Sequence, residues 1–203
     1  MAGKSTRAYI VESADTLFYE RGFEHTSFAH IADAVRISRG NFYHHFKSKD
    51  AILDAVIDLR LANTKAMLEN WEAEGESPAD RIRCFIRILI SNQAKIMAYG
   101  CPLGTLSTEL AKLDHGSQAG ATEIFALFRT WLGRQFSLLG RETDADALAL
   151  HLLARSQGVA TLASAFRDET FVNREVDLMC EWLRSSTDDG MSVPEAPDPN
   201  HPV

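Results

Sequence analysis

The sequence lacks the features that define several large classes of protein. Its 203 residues include three cysteines, Cys84, Cys101 and Cys180, which are too few and too widely spaced for a disulfide framework and form no CxxC pair for zinc. No apolar run approaches the roughly 18 residues of a membrane span. The N-terminus starts with basic residues but has no apolar segment typical of a signal peptide. We therefore expect a cytoplasmic protein that makes no use of a membrane.

Motifs of catalysis are missing as well. The chain has no glycine-rich phosphate loop, no HExxH, no paired-carboxylate motif and no nucleophile elbow, so we do not expect an enzyme. His44 and His45 could suggest a metal, but adjacent helical residues point in different directions. We expect neither a metal nor a cofactor. A helical enzyme of unrecognised type and a helical scaffold that binds no DNA remain the rival classes.

Signals for β-strands are also absent, and apolar residues recur instead at helical spacing along most of the chain. The stripe of the first predicted helix consists of Ile10, Val11, Ala14, Leu17 and Phe18. Gly22 is placed to end this helix, and Ser38, Ser48 and Pro78 are placed to begin later ones. The pattern predicts an all-α protein, in which residues 187–203 form a disordered tail.

Charge is distributed unevenly along the chain. Residues 1–50 carry seven Lys and Arg against six Asp and Glu, whereas the other 153 residues carry 14 against 22. The first region is thus near neutral and the second strongly acidic. Within the first, the segment SRGNFYHHFKS, followed by Lys49, contains no acid at all. Because the acidic region repels nucleic acid, only this basic strip, residues 38–49, is suited to approach it.

The basic strip lies where a second short helix follows a first across the tight turn VRIS, which predicts a helix-turn-helix. The N-terminal residues of such a second helix contact bases in the major groove. Arg39 and Asn41 are residue types that bond bidentately to guanine and adenine, and Gly40 allows close approach. Farther along, Tyr43 and Lys47 suit phosphate contacts.

The segment from residue 6 to residue 58 resembles the DNA-binding domain of TetR/AcrR-type transcriptional regulators. The matching residues are Ala14, Phe18, Gly22-Phe23, Thr26-Ser27, Ile31-Ala32, the run ISRGNFYHHFKSKD at 37–50, and Leu53. One departure is Arg36, which stands where many members have glycine in the turn. If the backbone there is left-handed, a non-glycine residue costs about 1 kcal/mol.

The resemblance implies an N-terminal three-helix DNA-binding domain at 1–50 joined to a helical ligand-binding and dimerisation bundle at 51–186. It also implies that Ser38, Arg39, Asn41 and His44 face bases, and that Thr26, Tyr43 and Lys49 hold phosphates. The DNA-contacting set predicted from the sequence and the resemblance together is Thr26, Ser27, Arg36, Ser38, Arg39, Gly40, Asn41, Tyr43, His44, Lys47 and Lys49.

The C-terminal region offers candidates for a ligand pocket and a dimer interface. Pocket candidates are mostly aromatic or apolar residues of the central helices: Phe85, Leu89, Met97, Cys101, Phe125, Phe128 and Trp131. Candidates for the dimer interface lie on the last two helices: Leu152, Val159, Leu162, Phe166, Met179 and Trp182. Both sets could instead belong to the core of one subunit, because apolar stripes at helical spacing usually do.

Cys101 stands out because the sequence GCPLGT places it at a predicted helix start, where the helix dipole stabilises a thiolate. A break of this kind resembles the branch of the family that includes sensors of electrophiles and oxidants. The lysine that can partner such a cysteine is missing, since Ser164 aligns with it. A cysteine that only lines the pocket is the competing interpretation.

The sequence as a whole favours a homodimeric transcriptional repressor that leaves a palindromic double-stranded operator when a small-molecule inducer binds. A transcriptional activator of the same family, and a thiol-based sensor that uses Cys101, are the alternatives. The inducer, the operator and the regulated genes are not encoded in any motif of the chain.

Overall fold

The computed structural model describes residues 5–188, and every regular element within them is a helix, which confirms the all-α prediction. The helices are α1 (Thr6–Arg21), α2 (Phe28–Val35), α3 (Arg39–His45), α4 (Lys49–Glu74), α5 (Pro78–Ser91), α6 (Gln93–Tyr99), α7 (Pro102–Lys112), α8 (Gln118–Leu138), α9 (Ala145–Phe166) and α10 (Glu169–Asp188). The tail predicted from residue 187 lies, beyond residue 188, outside the described residues. None of the described helices combines the length and apolar character that crossing a bilayer requires.

Serine side chains begin most of the N-terminal helices. Ser27, Ser38, Ser48 and Ser77 each accept a hydrogen bond from the backbone N–H three residues later, which satisfies one of the free donors of the first turn. Pro78 occupies the first position of α5, where its missing N–H is not needed. The short α2 and α3 therefore start where local sequence dictates.

The N-terminal core is built from α1, α2, α3 and the first half of α4. Its fully buried members include Ile10, Ile31, Ile52 and Leu53, and Phe42 of α3 is only 1% exposed. Helices α7 and α8 also contribute, through the side chains of Leu106, Leu110 and Ala121. The helix-turn-helix is therefore packed directly against the body of the protein.

The larger core joins the second half of α4 with α5, α6, α8, α9 and α10. Helices α8 and α9 run side by side, and Ile124, Leu132 and Phe136 of α8 are completely buried there. Helix α10 packs on α5 and α9. The domain boundary proposed at residue 50 falls near the start of α4, and the N-terminal core continues beyond it to Ile57.

One break was not predicted. The apolar stripe that begins after Pro78 divides at Asn92, where α5 ends and α6 begins. The amide Nδ2 of Asn92 donates to the Ile88 carbonyl at 3.1 Å, a bond that competes with regular helix geometry. After the break, α6 packs against α9.

Candidate DNA interface and ligand cavity

The turn between α2 and α3 has the geometry of a helix-turn-helix. Arg36 ends α2 in the left-handed conformation, with φ 57° and ψ 42°, and its N–H donates to the carbonyls of Ala32 and Asp33. A non-glycine residue in this conformation costs roughly 1–2 kcal/mol. The strain anticipated for Arg36 is therefore present, and its side chain points into solvent.

Helix α3 presents its N-terminal residues outward. Ser38 is the N-cap and accepts from the Asn41 N–H at 3.3 Å, so both side chains lie at the exposed start of the helix. A side chain added at Gly40 would meet nothing, which leaves that surface open for close approach. His44 is exposed as well. Arg39 begins α3, but its side chain is outside the described part of the structure.

Tyr43 and Lys47 extend this surface. Tyr43 is 48% exposed and its ring stacks on Phe28 of α2, with centroids 5.5 Å apart. The Lys47 Nζ donates to the Tyr43 carbonyl at 2.7 Å and remains at the surface. Stacking holds the phenol in place, so its hydroxyl is available to an outside partner.

The side chains of Thr26 and Lys49, two of the predicted DNA-contacting residues, bond to the loop between α1 and α2. Thr26 is 1% exposed and its hydroxyl donates to the Gly22 carbonyl at 2.7 Å, so the prediction that it holds a phosphate is corrected. Ser27, next to it, is exposed and caps α2. Lys49 donates to the Phe23 carbonyl at 3.0 Å and lies 4.1 Å from the Phe23 ring centroid. Its ammonium group therefore braces the loop between α1 and α2.

That loop is also fixed from the C-terminal side. One carboxylate oxygen of Glu109, on α7, accepts from the Phe23 N–H and the other from the Glu24 N–H, both at 2.9 Å. His115, after α7, packs edge-on against the Phe23 ring at 5.1 Å. Sequence patterns gave no sign of Glu109, because both partners are backbone groups more than 80 residues away.

A cavity of about 390 Å³ lies between one side of α1 and the larger core. Its apolar lining comes mainly from α5, α8 and α9 and includes three phenylalanines. Five of the seven predicted pocket residues line it: Phe85, Leu89, Cys101, Phe125 and Phe128. The other two do not. Trp131 is buried against Trp71, and Met97 packs against the larger core.

The cavity also has a polar wall, which was not predicted. Arg60 of α4 is 8% exposed, and its Nε donates to Asp15 Oδ1 of α1 at 2.6 Å. Its Nη1 donates to the Pro102 carbonyl, also at 2.6 Å. Position 60 continues the buried stripe of α4 that includes Val56 and Ile57, so an arginine on an apolar face was the available signal.

Tyr19 of α1 completes this wall. Its hydroxyl donates to the Gly100 carbonyl at 2.9 Å, and its ring meets Tyr99 edge-on. Burial, reinforced by the negative charge that Cys101 can carry and opposed by Arg60, raises the pKa of Tyr19 to about 12. The phenol is therefore neutral at physiological pH and keeps its bond to the loop that precedes α7.

Cys101 is the N-cap of α7, and the Gly104 N–H donates to its Sγ at 3.5 Å. Its thiol faces the cavity. The other two cysteines sit in helices, where burial raises the pKa of the Cys84 and Cys180 thiols. The described residues contain no group of three or more His, Cys, Asp or Glu side chains that could hold a metal ion.

The predicted dimer-interface residues divide into two groups. Leu152, Val159 and Met179 are buried in the core of the protomer, so assigning them to a surface that meets a partner was wrong. Leu162 and Phe166 are 42% and 67% exposed on the outer side of α9. Trp182 lies between these extremes, half-buried beside Phe136 and His151.

Comparison with known proteins agrees with this geometry. The sequence model described as bacterial regulatory proteins, tetR family, matches residues 10–56, which span α1 to the first turns of α4. The transcriptional repressor DhaR of Mycobacterium sp. strain GP1 is 25% identical over 93% of this chain and 97% of its own length. An uncharacterised helix-turn-helix regulator of Lactococcus lactis is 28% identical over 87% of this chain and 92% of its own.

A solved structure of a TetR transcriptional regulator from Legionella pneumophila has the same fold. It superposes with a TM-score of 0.79 and 23% identity, covering 92% of this chain and 99% of that one. The helix-turn-helix thus matches in sequence, and the body behind it matches in fold. Residues 10–56 therefore resemble the tetR family of bacterial regulatory proteins in sequence, and the whole chain resembles a TetR transcriptional regulator in fold.

Proposed function

We propose that the protein is a homodimeric repressor that binds a palindromic operator and is released from it by a small molecule in the cavity. The observation that carries the proposal is that the helix-turn-helix region and the C-terminal helices line the same cavity. Asp15 and Tyr19 belong to α1 of the helix-turn-helix region, and they line the same cavity as Phe85 and Phe128 of the C-terminal helices. A ligand there touches the DNA-binding region directly. Because its partner is DNA, we expect the protein to act in the cytoplasm.

The repressor role is favoured over an activator by one comparison, since the relative DhaR, which aligns with nearly the whole chain, is named a repressor. For contacts with DNA we propose the exposed start of α3 and the residues beside it. Ser38, Gly40, Asn41 and His44 are suited to the major groove, and Tyr43 and Lys47 to phosphates. Arg39 stays in this set on sequence grounds, and Ser27 and Arg36 flank it.

The outer side of α9 supports a second subunit. Leu150, Leu162 and Phe166 are exposed there, and Leu178 is exposed on α10. Gly158 lies on the same side, and a Cβ added to it would meet nothing in the protomer. A glycine inside a helix costs roughly 0.5–1 kcal/mol relative to alanine, and no contact within the protomer explains it. Close approach of a partner helix would explain both the glycine and the exposed apolar residues.

Release by a ligand follows from the polar wall. Helix α1 is joined to the rest of the wall by the Arg60–Asp15 ion pair and by the Tyr19–Gly100 hydrogen bond. Helix α7 begins at the cavity with Pro102 and reaches the α1–α2 loop with Glu109. A molecule that changes the spacing of these contacts changes the orientation of the helix-turn-helix. Two recognition helices in a dimer must sit one DNA turn apart, about 34–36 Å, so a small rotation weakens binding.

A thiol sensor is the second candidate, favoured by one observation. Cys101 caps α7 and faces the cavity, whereas burial raises the pKa of the Cys84 and Cys180 thiols. An electrophile that entered the cavity would therefore meet Cys101 first. The added group would occupy the space of a ligand, so this candidate uses the same cavity and the same route to DNA.

A gel shift with the DNA upstream of the protein's own gene tests the proposal. We expect a single shifted complex of two subunits whose affinity falls steeply with salt, because phosphate contacts release counterions. Scrambled DNA of equal length is the control. Binding that is equally tight on both DNAs, or absent on both, would contradict the proposed function.

A further inference from the structure

The cavity carries chemical information about its ligand that the family resemblance does not supply. We infer that the ligand is a carboxylate on an apolar body of one or two rings, and that its carboxylate takes Arg60 from Asp15. The inference rests on the proposed function, because it names the inducer class and the contact through which the inducer acts. It comes from the geometry of one arginine.

Arg60 is the buried charge of the cavity. Four charged side chains line the wall, but Glu20 and Lys95 are exposed, and their fields are screened by water. The Arg60 side chain is 9% exposed, and that of its partner Asp15 is 32% exposed. A buried charge is screened less than an exposed one, so the guanidinium dominates the field that a ligand meets.

The guanidinium also has capacity for another partner. It has five N–H donors, and its hydrogen bonds within the described residues, to Asp15 and Pro102, use two of them. The contact with Asp15 runs from Nε to a single oxygen, whereas a free carboxylate can engage the guanidinium fork with both of its oxygens. The start of α7, at Pro102, adds the positive end of a helix dipole beside it.

A cation fits this wall poorly. Its counter-charge would be Asp15, which is already paired with a buried guanidinium, or Glu20, which is exposed and screened by water. A neutral molecule could bond to amides such as those of Asn63 and Gln157, but it would leave the ion pair intact. An anion gains a charge-assisted bond to Arg60 and repels the carboxylate of Asp15, so of the three it alone competes with Asp15 for the guanidinium.

The rest of the cavity sets the size and character of the ligand. Phe85, Leu89, Phe125 and Phe128 supply much of the apolar lining, and about 390 Å³ is enough for one or two aromatic rings with a short chain. Pockets of this kind hold apolar molecules that are oriented by a few polar groups. The body therefore lies against the phenylalanines, and the carboxylate points to Arg60.

Release then has a defined first step. Asp15 is on α1, and the ion pair with Arg60 ties that helix to α4 and, through the Pro102 carbonyl, to the start of α7. A carboxylate that takes the guanidinium leaves Asp15 without its partner and loosens α1. By linkage, operator DNA weakens binding of the carboxylate by the same factor by which the carboxylate weakens binding of DNA.

Three compounds that share a naphthyl group but differ in the charge of their polar group test the ligand class on the wild-type chain. They are naphthylacetate, naphthylacetamide and naphthylethylamine. Binding is measured by calorimetry at neutral pH. We expect naphthylacetate to bind about tenfold or more tightly than the amide, since bonds to charged groups are the stronger ones. An amide or amine that binds as tightly as the carboxylate overturns the inference, and so does the absence of binding by all three at millimolar concentration.

Variants test the residues. Arg60→Gln should erase the preference for the carboxylate, and Arg60→Lys, which keeps the charge but loses the fork, should reduce it if the first variant fails to fold. Asp15→Asn should tighten naphthylacetate several-fold, because the competing carboxylate is gone. Arg129→Gln breaks an exposed ion pair with Asp146 outside the cavity and is the matched control. A preference that survives both Arg60 changes overturns the assignment.

Gel shifts separate this inference from the proposed function. Naphthylacetate should weaken operator binding by the wild-type chain, whereas Arg60→Gln, which already lacks the ion pair with Asp15, should bind operator more weakly without ligand and should not respond to naphthylacetate. If the chain binds operator and naphthylacetate but the two do not compete, the release step is wrong while the repressor proposal stands. If the chain binds no operator at all, the proposed function itself fails, whatever the ligand result.

Discussion

The two cores of the molecule lie in chain regions of different charge. The N-terminal core, around Ile10 and Phe42, supports a surface with an acid-free strip, whereas the larger core, around Leu132 and Phe136, belongs to the acidic part of the chain. DNA is therefore attracted at one end of the molecule and repelled along the other. The difference implies that charge favours the N-terminal region as the face that approaches DNA, while the acidic region is suited to bind a ligand and a second subunit.

The largest expected effect is on dimer assembly through the C-terminal helices. Leu162→Glu places a charge on the outer side of α9, and we expect dimers to dissociate, because each subunit would bury an unpaired carboxylate at a cost of several kcal/mol. Sedimentation checks the mass. Leu113→Glu is the matched control, since Leu113 is 41% exposed and Leu162 is 42% exposed. Dimers that persist at micromolar Leu162→Glu would place the interface elsewhere.

The next effect is confined to the N-terminal core. Phe42→Ala removes a side chain that is 1% exposed, and we expect a loss of about 3–5 kcal/mol of unfolding free energy from that region. Circular dichroism should show an early partial transition, and operator binding should vanish while the dimer remains. Phe136→Ala is the counterpart in the other core. A single cooperative transition for both variants would mean that the cores do not unfold independently.

A smaller effect separates reading of bases from attraction to phosphates. Asn41→Ala should cost about 1–3 kcal/mol of operator affinity and relax sequence preference at one position. Lys47→Ala should weaken operator and scrambled DNA alike and reduce the salt slope by about 1. Filter binding at several salt concentrations measures both. Equal losses on both DNAs for Asn41→Ala would remove it from the base-reading set.

The smallest effect concerns the connection between the two regions. Tyr19→Phe deletes one hydrogen bond to the Gly100 carbonyl, and we expect a loss of about 0.5–1.5 kcal/mol of unfolding free energy. Tyr43→Phe, which alters an exposed phenol, is the control for loss of a hydroxyl. Urea titration measures the difference. If the two variants proved equally stable, the Tyr19 bond would contribute nothing to the junction.

The two regions also differ in how far the sequence predicts them. Helix starts at Ser38 and Ser48 depend on residues within one turn, so local patterns are sufficient to predict them. The cavity is assembled from helices far apart in the chain, and the partner of Arg60 is 45 positions away. The phenylalanines of the apolar lining could be predicted because such residues are usually buried, whatever the topology of the fold. The polar wall and the Glu109 contact depend on the folded topology, which no local pattern contains.

On α9 and α10, too, the sequence did not show which apolar residues are buried within the protomer. Helical periodicity identifies the apolar faces of both helices, yet it does not say which face meets the protomer and which meets a partner. Leu152 and Leu162 look alike in sequence, but the first is fully buried and the second is exposed. Thr26 was also mispredicted. Its polar side chain can be buried because its hydroxyl donates to the Gly22 carbonyl, a contact that the sequence does not reveal.

The central claim is that occupancy of the cavity weakens binding of DNA, and Cys101 allows a test before any ligand is known. In a chain that carries Cys84→Ser and Cys180→Ser, N-ethylmaleimide attaches its group to Cys101 alone and fills part of the cavity. The same chain with Cys101→Ser, treated identically, is the control. The affinity for operator DNA is then measured by gel shift. We predict that the labelled chain binds operator at least about tenfold more weakly than the control, a coupling of about 1.4 kcal/mol. Complete labelling with unchanged operator affinity would contradict the claim.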